Sequence, residues 1–380
     1  MSRTKTVKGL SIFSDESLVI TYSPGGIESI ERIPYEEGLP FISPGFLDMQ
    51  VNGFHGADYS LEHLEPAHVK TLVDFLAKTG TTRHIPTFVT MPQERLLKNL
   101  RLVRKAIDND KSLAAAIPGF HVEGPFISPV SGPRGVHDPK YIREPVYEDF
   151  LLWQEAAQGS ILYVTVAPEV PGAIDFIKQV VRTGVKVAIG HSGADPEVIL
   201  YAVEAGATIS THLGNGSFTE IPRLKNYIWE QLASDQLTAG IICDGYHLPP
   251  SVVKVFTRAK SLDRLVLVSD VALLGGYPPG EYKWGDMDVD VHEDGHLGLH
   301  GTSVLAGAAH TLDWDIAHFM AYTNHSLQEA VRLCTVNPAK LLGIDTSGYD
   351  AFTIGGPANL CTFHYEKGMD RLQIVSSPIT

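Results

Sequence analysis

Eight apolar, β-branched runs stand between residues 41 and 271, and five or six of them end at a histidine or a carboxylate. The runs are FISPGFLDMQVNG, TTRHIPTFV, AIPGFHVEG, ILYVTVAPE, VKVAIGHS, TISTHLG, LTAGIICDG and RLVLVSDV. Amphipathic segments lie between them, among them AHVKTLVDFLAKTG, AIDFIKQVVRTG and PEVILYAVEAG. Strands rich in branched residues that alternate with helical segments are the signature of parallel βα units. Thr-Gly and Ala-Gly close the helix candidates where glycine suits a C-cap. Eight such units close into a barrel, so the expected fold is α/β, a (β/α)8 TIM-type barrel. Two further helical segments follow, GAAHTLDWDIAHFMAYT and SLQEAVRLCTVNPAKLLG.

The two ends read differently. Short β-like runs such as SLVITYS and GIESIERI near the start, and FTIGGPANLCTFHYEKGMDRLQIVSS at the close, are broken by turn residues. They predict a small β-sandwich domain made of residues 1–43 and 352–380, with the metal-dependent barrel occupying 44–351. A hydrophobic fraction of 44% is ample for such a core, and a net charge of −14 argues against a nucleic-acid or anionic-membrane partner. No run is apolar enough to span a bilayer, and MSRTKTVKGL lacks the apolar stretch of a signal peptide. Cys243, Cys334 and Cys361 are scattered thiols without CxxC spacing, as in a reduced compartment, so the cytoplasm is the expected location.

Barrel enzymes carry their chemistry at the C-terminal ends of the strands. Here those ends hold Gln50 and Asn52 (first strand), His121 and Glu123 (third), His191 (fifth) and His212 (sixth). Asp244 and His247 follow the seventh strand, and Asp270 follows the eighth. A single histidine after an apolar strand is more often structural than ligating. Two imidazoles on neighbouring strand ends, with Glu123 from a third, change that balance. Two imidazoles, a carboxylate and an open position suit catalytic zinc, ferrous iron or manganese. Asp270 reads as a general base beside the site, against the plainer reading of a helix cap. His247 lines a pocket, and Asp244 either orients a neighbour or forms a turn. The loop GPFISPVSGPRGVHDP has the glycine and proline content of a substrate-covering loop. His137 within it is a surface histidine or an electrophile facing a carbonyl. P-loop, GxSxG and GxGxxG motifs are absent, and no lysine ends a strand as a Schiff-base enzyme requires.

In order along the chain, PGFLDMQVNGFHGAD, HVEGPFISP, GVHDP, VTVAPE, AIGHSGAD, STHLGNG, GIICDGYH, LVSDVALLGG, LAGAAHTLD and TVNPAKLLGI resemble the motifs of the amidohydrolase superfamily. Within it they are similar to the N-acetylglucosamine-6-phosphate deacetylases, over nearly the whole chain. The resemblance implies Glu123, His191 and His212 as ligands of one divalent ion per subunit (Zn foremost, Fe or Mn as options). It implies Asp270 as general base and acid, and His137 as a group polarising the amide carbonyl. Gln50 and Asn52 replace a His-x-His pair, implying a mononuclear site, and stand on its substrate side. Asn215, Gly216 and His247 fall where the family holds its sugar phosphate. A small-molecule amino-sugar substrate and a homodimer are implied as partners. The chain departs from the family after THLGN: an arginine-bearing loop is replaced by GSFTEIPRLKNYIWEQLASDQ. Arg223 or Lys225 is the candidate substitute there, and a different N-acylated amino sugar stays open as substrate. Another amidohydrolase reaction, on an N-acyl amino acid or cyclic amide, and a catalytically silent sugar-binding scaffold are the competing readings.

Overall fold

The strands that carry the site lie side by side in chain order. In a computed structural model describing residues 4–14, 16–302 and 304–379, one eight-stranded sheet contains β1 (Phe46–Val51), β2 (Thr81–Val89), β3 (Phe120–Glu123) and β4 (Ile161–Val166). It continues with β5 (Lys186–Ile189), β6 (Ile209–Ser210), β7 (Thr238–Ile241) and β8 (Leu265–Leu267). Each strand pairs in parallel with the next. The ring closes where β8 meets β1: Val51 bridges Val271 in parallel and the Asp270 amide donates to the Gln50 carbonyl at 3.0 Å. All eight expected strands are present, so the barrel reading holds.

Burial explains why these segments take these forms. Leu47, Met49, Ile85, Tyr163, Ala188, Ile209, Ile242, Val266 and Val268 belong to one buried cluster formed by strand residues and the closing helices. A second, larger layer lies between strands and helices. In the helix Pro66–Lys78, proline opens the first turn, and Val69, Leu72, Val73 and Leu76 bury one stripe at helical spacing. Ala173, Phe176, Ile177 and Val180 do the same in the helix Ala173–Val181. Gly80 leaves the first of these helices at φ +85, and a Cβ there would stand 2.6 Å from the Phe46 ring. Only glycine fits that exit.

Strands from both ends make a separate six-stranded sheet. Lys5–Ser11, Ser17–Ser23, Gly26–Ile33 and Phe41–Pro44 come from the start, and Leu360–His364 and Gln373–Ser376 from the close. Leu18, Ile20, Tyr22, Ile27, Ile42, Ala358 and Leu360 bury its inner face. The single run FISPGFLDMQVNG is thus two strands: FISP joins the terminal sheet, and the remainder opens the barrel at Phe46. A three-stranded antiparallel sheet after β8, Gly280–Trp284, Met287–Val291 and Leu297–Leu299, was not anticipated. Its signal lay in the alternation of YKWGDMDVDV around a Gly-Asp turn. The closing helices are Leu312–Tyr322, Leu327–Arg332 and Val336–Leu342.

Candidate active site

Three strand ends converge on one point. The Glu123 Oε1 lies 3.1 Å from the Nε2 of His191 and 3.1 Å from the Nε2 of His212, and the two Nε2 atoms are 3.1 Å apart. All three residues are buried. Ligand atoms about 2.0–2.2 Å from a shared ion stand roughly 3 to 3.6 Å from one another, so the triangle has the size of a metal site. The Nδ1 of His191 donates to the Pro133 carbonyl at 2.9 Å, which leaves the Nε2 lone pair facing Glu123 and His212. Burial raises the Glu123 pKa, but the two imidazoles overcome it and hold the carboxyl well below its ordinary value. A buried anion with two imidazoles is a donor set that a divalent cation fits.

Asp270 faces this triad across two amides. The Gln50 Nε2 lies 3.1 Å from both Glu123 oxygens and 3.0 Å from the Asp270 Oδ1. The Asn52 Nδ2 donates to the same Oδ1 at 2.7 Å. The Gln50 and Asn52 nitrogens, placed on the substrate side by sequence, are therefore committed to carboxylates, and the Asn52 Oδ1 is buried without a partner. Burial, followed by the charge of Glu123, pushes the Asp270 pKa up to about 6. His191, His212 and Asp270 all have left-handed backbones, at φ 50, 26 and 52. Such conformations cost non-glycine residues on the order of 1–3 kcal/mol and concentrate at functional sites. Gln50→Ala removes the donor shared by both carboxylates; kcat/KM is expected to fall roughly 10- to 100-fold with the fold intact. Steady-state kinetics alongside circular dichroism checks this, and an unchanged rate contradicts the positioning role.

His137 is buried in the site, not on the surface. Its Nδ1 meets the Thr90 hydroxyl at 2.8 Å and its Nε2 stands 3.3 Å from the His191 Nε2. Burial, then the neighbouring His191, pushes its pKa down to about 3, so the ring is neutral near pH 7. The Nε2 of this neutral imidazole faces the metal triangle. His247 is fixed from the other direction: its Nδ1 lies 2.7 Å from the Asp244 Oδ2. The Asp244 Oδ1 accepts the backbone amides of Tyr246 and His247, so this residue both forms the turn and orients the imidazole. Asn215 and Gly216 lie three and four residues after His212, the Asn215 backbone amide donating to the His212 carbonyl at 2.9 Å, and a Cβ on Gly216 would lie 2.8 Å from the His191 Nδ1.

Not every strand-end histidine joins the site. His121 is held between the hydroxyls of Thr87 and Thr165, at 3.1 and 2.8 Å, and stacks on Tyr163 with ring centres 3.9 Å apart. It is a core residue, and burial pushes its pKa down to about 3. Lys225 is paired with Glu197 at 2.6 Å on the surface. Arg223 offers only its carbonyl, to the Trp229 indole. Residues that sequence reasoning missed are Thr90, Pro133 and Asp48. The first two orient histidines 47 and 58 positions away, a relation no local pattern encodes. Asp48 had a signal: a carboxylate inside an apolar strand. It accepts the amides of Gln50 and Ser269, tying β1 to the end of β8, and burial pushes its pKa up to about 7.

The geometry has counterparts among known proteins. The amidohydrolase family profile matches residues 41–375. N-acetylglucosamine-6-phosphate deacetylase from Haemophilus influenzae is 32% identical over 85% of this chain and 82% of its own length. The Bacillus subtilis protein of the same name is 28% identical over 95% and 93%. The crystal structure of N-acetylglucosamine-6-phosphate deacetylase from Pasteurella multocida superposes with a TM-score of 0.85 at 26% identity, covering 99% of this chain and 98% of that one. With most of its length matched in both comparisons, the chain belongs to the amidohydrolase family, among the N-acetylglucosamine-6-phosphate deacetylases.

Proposed function

We propose that this protein hydrolyses the N-acetyl group of N-acetylglucosamine-6-phosphate, releasing acetate and the free amino sugar. The observation that carries the reading is the joining of Asp270 to the Glu123–His191–His212 triangle through one amide, that of Gln50. It places a base beside a metal-sized donor set, as amide hydrolysis requires. The relatives' shared activity supports the same reaction. Neither rival reading has an observation of its own: a silent scaffold has no use for strained, buried catalytic groups, and nothing in the pocket selects a cyclic amide.

Glu123, His191 and His212 would hold one divalent ion, zinc foremost. Such an ion supplies Lewis acidity that makes water nucleophilic near neutral pH. The protein's own groups do the rest. Asp270 takes the proton of the attacking water and returns it to the departing nitrogen. Gln50 and Asn52 hold its carboxylate in one orientation through both transfers. His137 donates from Nε2 to the carbonyl oxygen as negative charge develops there, and the Thr90 hydroxyl holds its ring in place. His247 and Asn215 take the sugar phosphate. The division of the chain at residues 43/44 and 351/352, a homodimer and a cytoplasmic location belong to the same reading. No helix among the described residues is long and apolar enough to cross a membrane.

Asp270 works as a base only when ionised, so kcat/KM rises with pH through its pKa and falls about tenfold per unit below it. Burial and the Glu123 charge push that pKa up to about 6, and a cation held by Glu123 would draw it lower. The Asn52 hydrogen bond lowers the same pKa. Asn52→Ala is therefore expected to move the acid limb upward, with more activity lost at pH 5.5 than at pH 8. An acid limb that stays in place in the variant contradicts the assignment of that limb to Asp270. Acetate release by the metal-supplied protein, with N-acetylglucosamine-6-phosphate beside N-acyl amino acids and cyclic amides, tests the reaction itself.

A further inference from the structure

At the end of the barrel away from the metal triangle, a cleft of about 370 Å3 opens where β5, β6, β7 and β8 begin. Lys186 is the first residue of β5, and Arg264 directly precedes β8. Ala188 belongs to the inner cluster of the barrel, so Lys186, two residues earlier on the same strand, shares its face and stands at the N-terminal mouth. Arg332 and Lys340 line the cleft from the closing helices. Four cations therefore surround it, against the carboxylate of Asp263 as the one acidic group lining it among the described residues. The whole chain has 30 lysines and arginines against 44 aspartates and glutamates, so the local balance is the reverse of the average.

This charge is held in place by buried structure. The Asn337 side chain is buried, and its Nδ2 donates to the carbonyls of Leu262 and Leu265 at 2.7 and 2.8 Å. That bracket ties the turn bearing Asp263 and Arg264 to the helix Val336–Leu342, which bears Lys340. Arg332 is engaged, 2.7 Å from the Asp263 carboxylate. Lys186, Arg264 and Lys340 make no ion pair and no side-chain hydrogen bond among the described residues. The Thr208 hydroxyl, which also lines the cleft, has no partner either. Solvated surface cations ordinarily stand apart. Three unpaired ones around one concavity focus a positive potential into it, and a bound anion relieves their repulsion.

Size and charge together select the occupant. The cleft adjoins a second cavity of about 240 Å3, which shares Arg332 and Lys340 and is faced by Ile12, Phe13 and Tyr349. A ligand with its anionic end among the cations has room there for a compact, less polar body. Such a volume suits one small molecule, not an extended polyanion.

We propose that this cleft binds the phosphate group of a small phosphate monoester, at a site separate from the metal triangle. The Arg264 guanidinium offers two parallel hydrogen bonds to a phosphate, and Lys186 and Lys340 add point charges that a dianion balances. The ligand lies across the starts of the strands that lead to His191, His212 and Asp270, so its binding stabilises the barrel by mass action. The inference does not depend on the reaction proposed above.

Equilibrium dialysis of metal-loaded protein against radiolabelled inorganic phosphate tests it, with wild type, His247→Ala, Lys186→Gln/Lys340→Gln and Lys186→Arg/Lys340→Arg. One phosphate per chain is expected to remain in His247→Ala, where binding at the barrel top is impaired. The glutamine pair binds that phosphate at least about tenfold more weakly. The arginine pair, which keeps both charges, retains it, so a loss in the glutamine pair is a loss of charge and not of fold. The glutamine pair keeps kcat/KM on N-acetylglucosamine-6-phosphate within about twofold of wild type, because neither lysine touches the reacting groups. Competition in His247→Ala then names the source of the phosphate group. Displacement by glucosamine-6-phosphate makes the ligand a sugar phosphate, and displacement by adenosine monophosphate makes it a nucleotide. Equal phosphate binding by wild type and the glutamine pair overturns the proposal. Displacement by neither monoester, or by chloride at equal ionic strength as readily as by either, overturns it too.

Discussion

Asp270→Asn is expected to retain the metal and lose catalysis, with kcat/KM lower by about three orders of magnitude. General base and acid catalysis contributes roughly 10²–10⁴-fold, and one carboxylate serves both proton transfers here. Asparagine keeps the shape, and its amide can still meet Asn52, so the strained backbone at φ 52 need not rearrange. Because the three ligands come from other residues, metal content measured by mass spectrometry should match wild type. A variant of near-normal activity contradicts the assignment of the base. A variant that loses its metal as well makes Asp270 a ligand instead.

The second large effect is expected at the triangle. His212→Ala removes one of three donors that converge within 3.1 Å, and Glu123→Gln leaves only a neutral oxygen where the anionic one stood; either variant holds a divalent ion poorly. Both variants should bind less than about a tenth of an equivalent of metal and show no measurable turnover, since ligand loss removes the site as a unit. His121→Ala, by contrast, should keep its metal, because that ring is occupied by Thr87 and Thr165 in the core. Its cost appears in stability, about 2–4 kcal/mol for a buried, stacked side chain lost from a packed interior. Metal loss in His121→Ala would show that the strand-end histidines had been sorted wrongly.

That sorting shows how much a sequence of this kind discloses. The barrel was legible because parallel strands buried on both faces must be written as apolar runs, and eight of them stand in order. The ligands were legible because each breaks such a run at its end. His121 and Glu123 have equal standing in the sequence and, two residues apart, share one face of their strand; they part in depth, because His121 meets Thr87 and Thr165 within the core while Glu123, at the strand end, meets the two histidines. Gln50 and Asn52 were placed at the site, but not as the amides that hold Glu123 and Asp270 in register. That relation joins residues 73 and 220 positions apart, and it exists only once the ring has closed. Thr90 and the Pro133 carbonyl escaped for the same reason, since ordinary residue types become orienting groups through tertiary contact alone. The boundary between terminal sheet and barrel was blurred because FISP and FLDMQV are separated by a single glycine. Gly45 turns the chain where a Cβ would collide with Thr82.

Acetate release from N-acetylglucosamine-6-phosphate tests the account most directly, measured with divalent metal supplied and again after chelation. The account predicts acetate and free amine in equal amounts, abolished by the chelator and restored by added metal. Purified protein that carries one equivalent of divalent ion, yet releases no acetate from this sugar, would contradict it.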